Sequence, residues 1–229
     1  MIEPKVPASL DPLAREILEQ LRGDARVANV VLGGGIALAH YVEYRPTRDI
    51  DAWWGTARME EARVAIASAV KAVAERHGLG VRQRSWGETL SYEIMDMQEN
   101  RVVFAFQIAP RDIQLEEPRP SEWSPLLLET LTDNLGSKMN ALVDRGAPRD
   151  FLDIYELMAR GLYTPQDCWS IWQRKNPDAD GRAARNKVLH NLLSIEARTP
   201  LDSVSAAERQ TAQRRRIFFK TEFVRNDAS

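Results

Sequence analysis

The spacing of hydrophobic residues in the first half of the chain changes between helical and strand periods. Apolar positions at helical spacing predict a first helix that follows Asp11, a good N-cap, starts with Pro12 and ends at Gly23. Short β-branched or alternating runs predict strands. Strands are expected at 27–32, 49–54, 81–84, 89–95 and 102–108, and further helices at 36–42 and 57–77.

The second half of the chain is predicted to be helical. A proline-rich stretch, 110–125, interrupts the alternating pattern and is typical of a linker. From Leu126 onward the spacing is helical, and the sequence Thr-Pro-Gln-Asp that begins at Thr164 is typical of a helix start. The order of elements therefore predicts an α+β fold, with a first domain at 1–115 and an all-helical C-terminal domain at 116–229.

Composition excludes several classes of protein. The 229 residues carry 31 Lys and Arg against 33 Asp and Glu, a net charge of −2, so nucleic-acid binding would need a local basic patch. Cys168 is the only cysteine, which excludes an intrachain disulfide and a cysteine-based zinc site. No apolar run reaches the ~18–20 residues of a membrane helix, and the N-terminal residues lack the apolar segment of a signal peptide. We expect a cytoplasmic protein with no membrane partner.

A glycine turn is the first candidate for chemistry. Gly33, Gly34 and Gly35 lie between a predicted strand and a predicted helix. Glycine lets the backbone approach a ligand closely, and the first amides of a helix attract anions, so such a turn is suited to hold phosphates. It matches neither the P-loop nor the dinucleotide-binding glycine pattern. Many strand–helix turns use glycine for backbone reasons alone, and this alternative stays open.

Two acidic residues, Asp49 and Asp51, open the second predicted strand. Residues two apart on a strand point to the same face, roughly 6.6 Å apart along it. Two carboxylates on one face repel each other unless a cation lies between them, and Mg²⁺ prefers such oxygen ligands. The alternative is a solvent-exposed strand end, although Ile50, Trp53 and Trp54 indicate a partly buried strand.

A third candidate region spans two predicted helices. Lys138 and Arg145 share one face of the first helix, and Asp150 and Asp153 share one face of the second. Taken alone, Asp150 is equally consistent with an acid that complements a helix dipole, and Lys138 with a surface lysine.

Together these segments resemble the AbiEii/AbiGii-type nucleotidyltransferases, a branch of the DNA polymerase β-like nucleotidyltransferase superfamily. The resemblance rests on a Gly-Gly-x-x-Leu turn, followed by Arg-x-Thr-x-Asp-Ile-Asp, Lys-x-x-Ala-x-x-x-Arg and Arg-Asp-Phe-x-Asp. These motifs lie within Gly33–Leu38, Arg45–Asp51, Lys138–Arg145 and Arg149–Asp153. The resemblance implies a mixed β-sheet flanked by helices, followed by a helical half that completes the cleft.

The resemblance also implies an activity, the Mg²⁺-dependent transfer of a nucleoside monophosphate from an NTP to a hydroxyl of an RNA, such as tRNA, or of a protein. By position, Asp49 and Asp51 would bind the metal and act in catalysis. The backbone of Gly33–Gly35 would bind the nucleotide together with Lys138 and Arg145. Lys138 would also be catalytic by neutralising phosphate charge, and Asp150 would belong to the lower part of the site. Many members of this family are toxins, so a cognate antitoxin is an expected partner protein.

The chain departs from the family pattern twice. A Ser or Thr commonly follows the paired glycines in the superfamily, whereas this chain has Gly35 and Ile36 there. A third carboxylate is expected on the strand at 102–108, where the candidate position carries Gln107. Glu93, on the neighbouring predicted strand, would substitute only if its side chain faces the same side. The alternative function is therefore a weakly active or inactive module with this fold, which binds a nucleotide or a partner protein.

A run of three arginines, Arg214–Arg216, stands near the end of the helical half. It is interpreted either as a contact for an RNA backbone or as a solvated helix face, and the second is the commoner role of such a run.

Overall fold

The computed structural model describes residues 2–54, 59–111 and 113–225. The chain forms two compact units, Met1–Asn134 and Leu135–Ser229. The sequence places the end of the first domain at residue 115, whereas the compact units divide at residues 134 and 135, inside a helix.

The N-terminal unit contains a seven-stranded sheet and three α-helices among its described residues. The helices are α1 (Pro12–Leu21), α2 (Gly34–Tyr41) and α3 (Met59–Arg76), and the strands are β1 (Val30–Gly33), β2 (Asp49–Trp54), β3 (Gly80–Trp86), β4 (Thr89–Asp96), β5 (Arg101–Pro110), β6 (Arg119–Pro120) and β7 (Leu127–Leu128). The strand order in the sheet is β3-β4-β5-β2-β1-β7-β6. Strands β2 and β5 are parallel, as are β1 and β7, and the other neighbours are antiparallel. This arrangement confirms the expected α+β fold with a mixed sheet flanked by helices.

Local sequence signals account for the first helix. The Asp11 carboxylate accepts a hydrogen bond from the backbone amide of Leu13 at 2.9 Å and so caps α1. Beyond the helix, Gly23 has φ +77°, a left-handed conformation that strongly favours glycine. Both ends of the predicted helix are therefore confirmed.

The alternation along the strands separates two faces of the sheet. One face packs with buried residues of α1 and α3 in a single hydrophobic cluster. The other face carries the half-buried Asp49 and Asp51. The strand residues in the hydrophobic cluster include Val30, Leu32, Ile50, Ala52, Trp54, Leu90, Tyr92, Ile94, Phe104, Phe106 and Ile108.

The predicted linker at 110–125 contributes to the sheet. Its segment Arg119–Pro120 forms β6, which pairs with β7, and β7 runs parallel to β1. Trp123, between these two strands, is fully buried. The proline-rich composition therefore marks an irregular connection that folds onto the sheet, and not a flexible join between two domains.

The C-terminal unit is helical, as predicted. The predicted helix start at Thr164 is confirmed, since its hydroxyl accepts a hydrogen bond from the backbone amide of Asp167 at 3.2 Å. Trp169 and Trp172 are buried and pack edge-to-face. The helices are α4 (Leu131–Asp144), which begins four residues before the division at 134 and 135, α5 (Pro148–Ala159), α6 (Pro165–Lys175), α7 (Gly181–Arg198) and α8 (Ala206–Phe218), followed by a π-helical turn at Phe219–Phe223.

Among the residues described, none of the helices combines the length and the apolar character needed to cross a bilayer.

Candidate active site

The glycine turn connects β1 to α2 at the edge of the hydrophobic cluster. Gly33 ends the strand, and Gly34 begins the helix with φ +56°. Because the residue before the helix is a glycine, no side chain from that position occupies the first amides of α2. These amides carry the partial positive charge of a helix start, which is suited to bind an anion.

The carboxylate of Asp51 lies directly against this turn. Gly33 and Asp51 are register partners in the antiparallel pair β1–β2. A methyl group on Gly34 would overlap the Asp51 side chain, with its carbon 2.7 Å from Cγ and closer still to Oδ2. The absence of a side chain at Gly34 is therefore what allows the carboxylate to reach the helix start.

Asp49 is held by a threonine from the loop before β2. The Thr47 hydroxyl donates to Asp49 Oδ1 at 2.9 Å, and Thr47 itself is buried. Thr47 also lies against Gly35, where an added methyl carbon would come within 2.8 Å of its Oγ1. Both acids are therefore placed beside the glycine turn, one by strand register and one through Thr47.

Gln107 faces the same side of the sheet as the two acids. It is the register partner of Asp51 in the parallel pair β2–β5, and register partners in a sheet share a face. Their backbones are about 4.8 Å apart, the spacing of neighbouring strands. Gln107 is half-buried, whereas the next residue, Ile108, is in the core. The side chain of Gln107 thus projects from the same face as that of Asp51, one strand away.

Glu93 also faces this side, but its carboxylate is paired with an arginine. It pairs with Ala105, which is the register partner of Asp49, so two strand spacings separate Glu93 from Asp49, about 9.6 Å. Its carboxylate accepts a hydrogen bond from Arg82 at 2.7 Å. The condition set by the sequence, a shared face, is met, yet Glu93 has a charged partner of its own.

The buried side-chain amide of Asn134 is hydrogen-bonded to the glycine turn. Asn134 Nδ2 donates to the carbonyl oxygen of Gly34 at 3.0 Å and to Glu129 Oε2 at 2.9 Å. The backbone amide of Glu129 in turn donates to the carbonyl of Leu32 at 2.9 Å, which continues the pairing of β7 with β1. Asn134 is fully buried, so this contact fixes the carbonyl of Gly34 and with it the direction of the helix start.

An arginine completes this support. Arg111 Nη2 donates to Glu129 and to Asp133 at 2.6 Å each, and all three side chains are largely excluded from solvent. Arg111 thus joins Glu129, Asp133 and Asn134 in one buried network of hydrogen bonds. Sequence reasoning missed it because Arg111 lies 18 residues before Glu129, and acids near a helix start ordinarily indicate a cap.

The candidate residues of the C-terminal unit form two ion pairs. The buried Lys138 ammonium contacts Asp153 at 2.8 Å. Arg145 donates two hydrogen bonds to the buried Asp150, at 2.8 and 2.9 Å, and Asp150 also accepts the backbone amide of Ala147 at 2.9 Å. Lys138 lies on α4, Arg145 directly follows that helix, and both acids lie on α5. Each of these four residues therefore has a structural role within this unit.

The donor set at the turn fits a magnesium ion that shares its ligands with a nucleotide. Asp49 and Asp51 offer carboxylate oxygens, Gln107 offers one neutral oxygen, and the first amides of α2 offer donors for phosphate oxygens. Within 2–54, 59–111 and 113–225, no cluster of three or more His, Cys, Asp or Glu side chains suited to a metal ion occurs. The residues therefore fit a metal that is completed by phosphate oxygens, and they do not form a site made of three protein carboxylates.

Comparison with known proteins adds one finding. The family model described as "Nucleotidyl transferase AbiEii toxin, Type IV TA system" matches residues 16–222, which is most of the chain and includes every candidate residue named above. No curated protein matches the chain.

Proposed function

We propose, given that this chain belongs to the AbiEii family of nucleotidyl transferase toxins, that it transfers a nucleoside monophosphate from an NTP to an acceptor hydroxyl at the Gly33–Gly35 turn. One observation carries this proposal: the Asp51 carboxylate packs against the Cα of Gly34 at a helix start. An anion-binding backbone and a metal-binding carboxylate thus lie side by side, which is the combination that a bound metal–triphosphate needs.

The role of magnesium is part of this proposal. Asp49 and Asp51 would hold Mg²⁺ together with the phosphates of the substrate. When bound, the ion stabilises the charge that develops on phosphate oxygens during in-line displacement. The hydroxyl of Thr47 orients Asp49 through its 2.9 Å hydrogen bond.

The chain's own groups account for most of the positioning. The amides at the start of α2 bind the phosphates, and Asn134 keeps that turn in place through the carbonyl of Gly34. The acceptor oxygen forms a bond to the α-phosphorus as the bond from that phosphorus to pyrophosphate breaks. The acceptor's proton passes to solvent water, because the amide of Gln107 cannot accept it as a carboxylate would. We therefore expect slow turnover, or turnover that depends on a particular acceptor.

The acceptor and the partner protein are proposed by class only. An RNA hydroxyl, as in tRNA, is the first candidate acceptor, and a protein hydroxyl is the second. The family description names a type IV toxin–antitoxin system, so an antitoxin is the partner that it implies. The alternative function, a module that binds a nucleotide or partner without turnover, is favoured by one feature, the neutral Gln107 beside Asp51.

A transfer assay separates these functions. Each of the four NTPs, labelled at the α-phosphate, is incubated with the protein, Mg²⁺ and either total RNA or total protein. Label in one acceptor from the wild-type chain, lost in Asp49→Asn and Asp51→Asn but kept in Glu88→Gln, supports the transferase. Glu88 is the matched control because it is an exposed acid in the turn between β3 and β4. Retained activity in Asp51→Asn would refute the two-carboxylate assignment, and nucleotide binding without any transfer would favour the alternative.

Lys138 needs a test that separates nucleotide binding from stability. We propose that its ammonium neutralises phosphate charge, as the family resemblance implies, yet it also balances the buried Asp153. Lys138→Met leaves that carboxylate without its ammonium, and the double variant Lys138→Met/Asp153→Leu removes the imbalance. If the double variant regains its melting temperature but binds NTP no better than the single variant, Lys138 contacts the nucleotide. If both properties return together, its role is structural. Lys187→Met, on the exposed side of α7, is the control.

A further inference from the structure

The three consecutive arginines of α8 occupy two different environments. Arg214 is exposed, whereas Arg215 and Arg216 are half-buried and line a cavity within the C-terminal unit. The run is therefore not a uniform solvated face. Two of its residues, Arg215 and Arg216, belong to the lining of a cavity.

The cavity lies between α5, α7 and α8 and has a volume of about 480 Å³. That volume falls in the ~300–1,000 Å³ range of small-molecule sites. Its walls are largely apolar and include Phe151, Leu192 and Ile195, with Ala207 on the exposed side of α8. An apolar body of moderate size would therefore lose water contacts on entering it.

The two arginines that line the cavity have no directly bonded carboxylate among the described residues, although Glu208 also lines it. Arg216 donates to the backbone carbonyl of Thr199 at 2.6 Å, a neutral partner. Glu208, the acid in the lining, accepts a hydrogen bond from Ser205 at 2.7 Å. In the described ranges neither Arg215 nor Arg216 forms an ion pair with a carboxylate.

The electrostatic consequence is seen at Arg215. Its burial lowers the pKa of the guanidinium and the neighbouring charge of Arg216 lowers the pKa further, whereas Tyr155, Glu156 and Glu208 oppose this shift. Two half-buried cations without a directly bonded carboxylate would be stabilised by an added anion, because guanidinium groups bind carboxylates and phosphates through paired hydrogen bonds.

We propose that this cavity binds a small amphipathic anion, whose carboxylate or phosphate head contacts Arg215 and Arg216 and whose apolar body lies against Phe151, Leu192 and Ile195. The residues that line the cavity all belong to the C-terminal unit, and ligand binding there does not require transferase activity. A head group alone lacks the apolar contacts, and an apolar body alone leaves the two cations unbalanced, so each half should bind more weakly than the whole.

Titration calorimetry on the full chain tests this with four simple probes. Octanoate and octyl phosphate carry both parts of the ligand and distinguish a carboxylate head from a phosphate head. Acetate carries the head alone, and 1-octanol carries the body alone. We expect one saturable site for octanoate or octyl phosphate, with an affinity at least about tenfold higher than for acetate or 1-octanol.

Variants locate the site. Arg215→Gln should weaken binding by about tenfold or more, because a charge-assisted hydrogen bond is lost. Arg214→Gln, the matched control outside the cavity, should change the affinity less than about twofold. Ala207→Trp fills the cavity from the exposed side of α8 without altering charge and should abolish binding, while melting curves verify that each variant is folded.

Three results would overturn the proposal. The first is the absence of saturable binding of either full probe to the wild-type chain. The second is equal binding of 1-octanol and octanoate, which would mean that the arginines contribute nothing. The third is an equal effect of Arg214→Gln and Arg215→Gln in folded protein, which would place the anion outside the cavity.

Discussion

Replacing Gly34 with alanine tests the contact on which the candidate site depends. The new methyl group meets two obstacles: the residue has φ +56°, and the methyl carbon would overlap the Asp51 side chain. Gly23→Ala meets only the first, since Gly23 has φ +77° and no atom within 4 Å of an added Cβ. The two variants therefore separate backbone strain from steric overlap.

The expected magnitudes follow from these two terms. A left-handed conformation costs a non-glycine residue about 1–2 kcal/mol. Alanine also lowers the conformational entropy of the unfolded chain relative to glycine, and this stabilising effect offsets about 0.4–1 kcal/mol of that cost. Steric overlap in a packed site adds about 1–3 kcal/mol. We expect Gly23→Ala to lower the free energy of unfolding by about 1 kcal/mol and Gly34→Ala to lower it by about 2–4 kcal/mol.

Denaturant unfolding of both variants measures these changes, and a double-mutant cycle assigns their cause. In an Asp51→Gly background the overlap is gone, so Gly34→Ala should cost only the backbone term, with a coupling of about 1–3 kcal/mol between the two positions. Nucleotide binding by Gly34→Ala should also be lost. A cost of Gly34→Ala no greater than that of Gly23→Ala, or a cycle without coupling, would show that Asp51 does not exclude a side chain at position 34.

Three further predictions address other parts of the first unit. Gln107→Asp, on the face of the acids, should tighten Mg²⁺–NTP binding in calorimetry and raise the transfer rate; a lower melting temperature with unchanged binding would contradict this. Arg111→Met should lower the free energy of unfolding by about 3–5 kcal/mol, because Glu129 and Asp133 are left buried without their cation. Burial lowers the pKa of His40 below its ordinary 6.5, so the imidazole takes up a proton on unfolding, and stability should fall as the pH drops below about 6.5; this part of the pH profile should be flatter in His40→Phe, and an unchanged slope would contradict the assignment.

The glycine turn shows how far the sequence leads toward a site. The strand–turn–helix order, the three glycines and the two alternating acids are all readable within a few residues, because alternation and helix starts are local properties. The closeness of Asp51 to Gly34 depends on the register of β1 with β2, which is a pairing between strands. The sequence therefore predicts the residues of the candidate site, and the fold supplies their contacts.

Gln107 and the run Arg214–Arg216 show that the sequence does not predict the surroundings of a side chain. A strand pattern predicts that Gln107 alternates with core residues, but its position beside Asp51 follows from the parallel pairing of β2 with β5. The arginine run has one composition and two environments, decided by the packing of α5 and α7 against one side of α8.

The sequence by itself determined the local structure of this protein. It specified the caps at Asp11 and Thr164, the bounds of β2, and the change from a mixed α+β half to a helical half. Tertiary structure alone decided the contacts between distant segments, such as Arg111 with Glu129 and Asn134 with Gly34, and the fold of the proline-rich segment onto the sheet. The physical reason is the range of the interactions. A cap or an alternating pattern is satisfied within one turn or strand, whereas a buried charge or amide must find its partner wherever packing brings one.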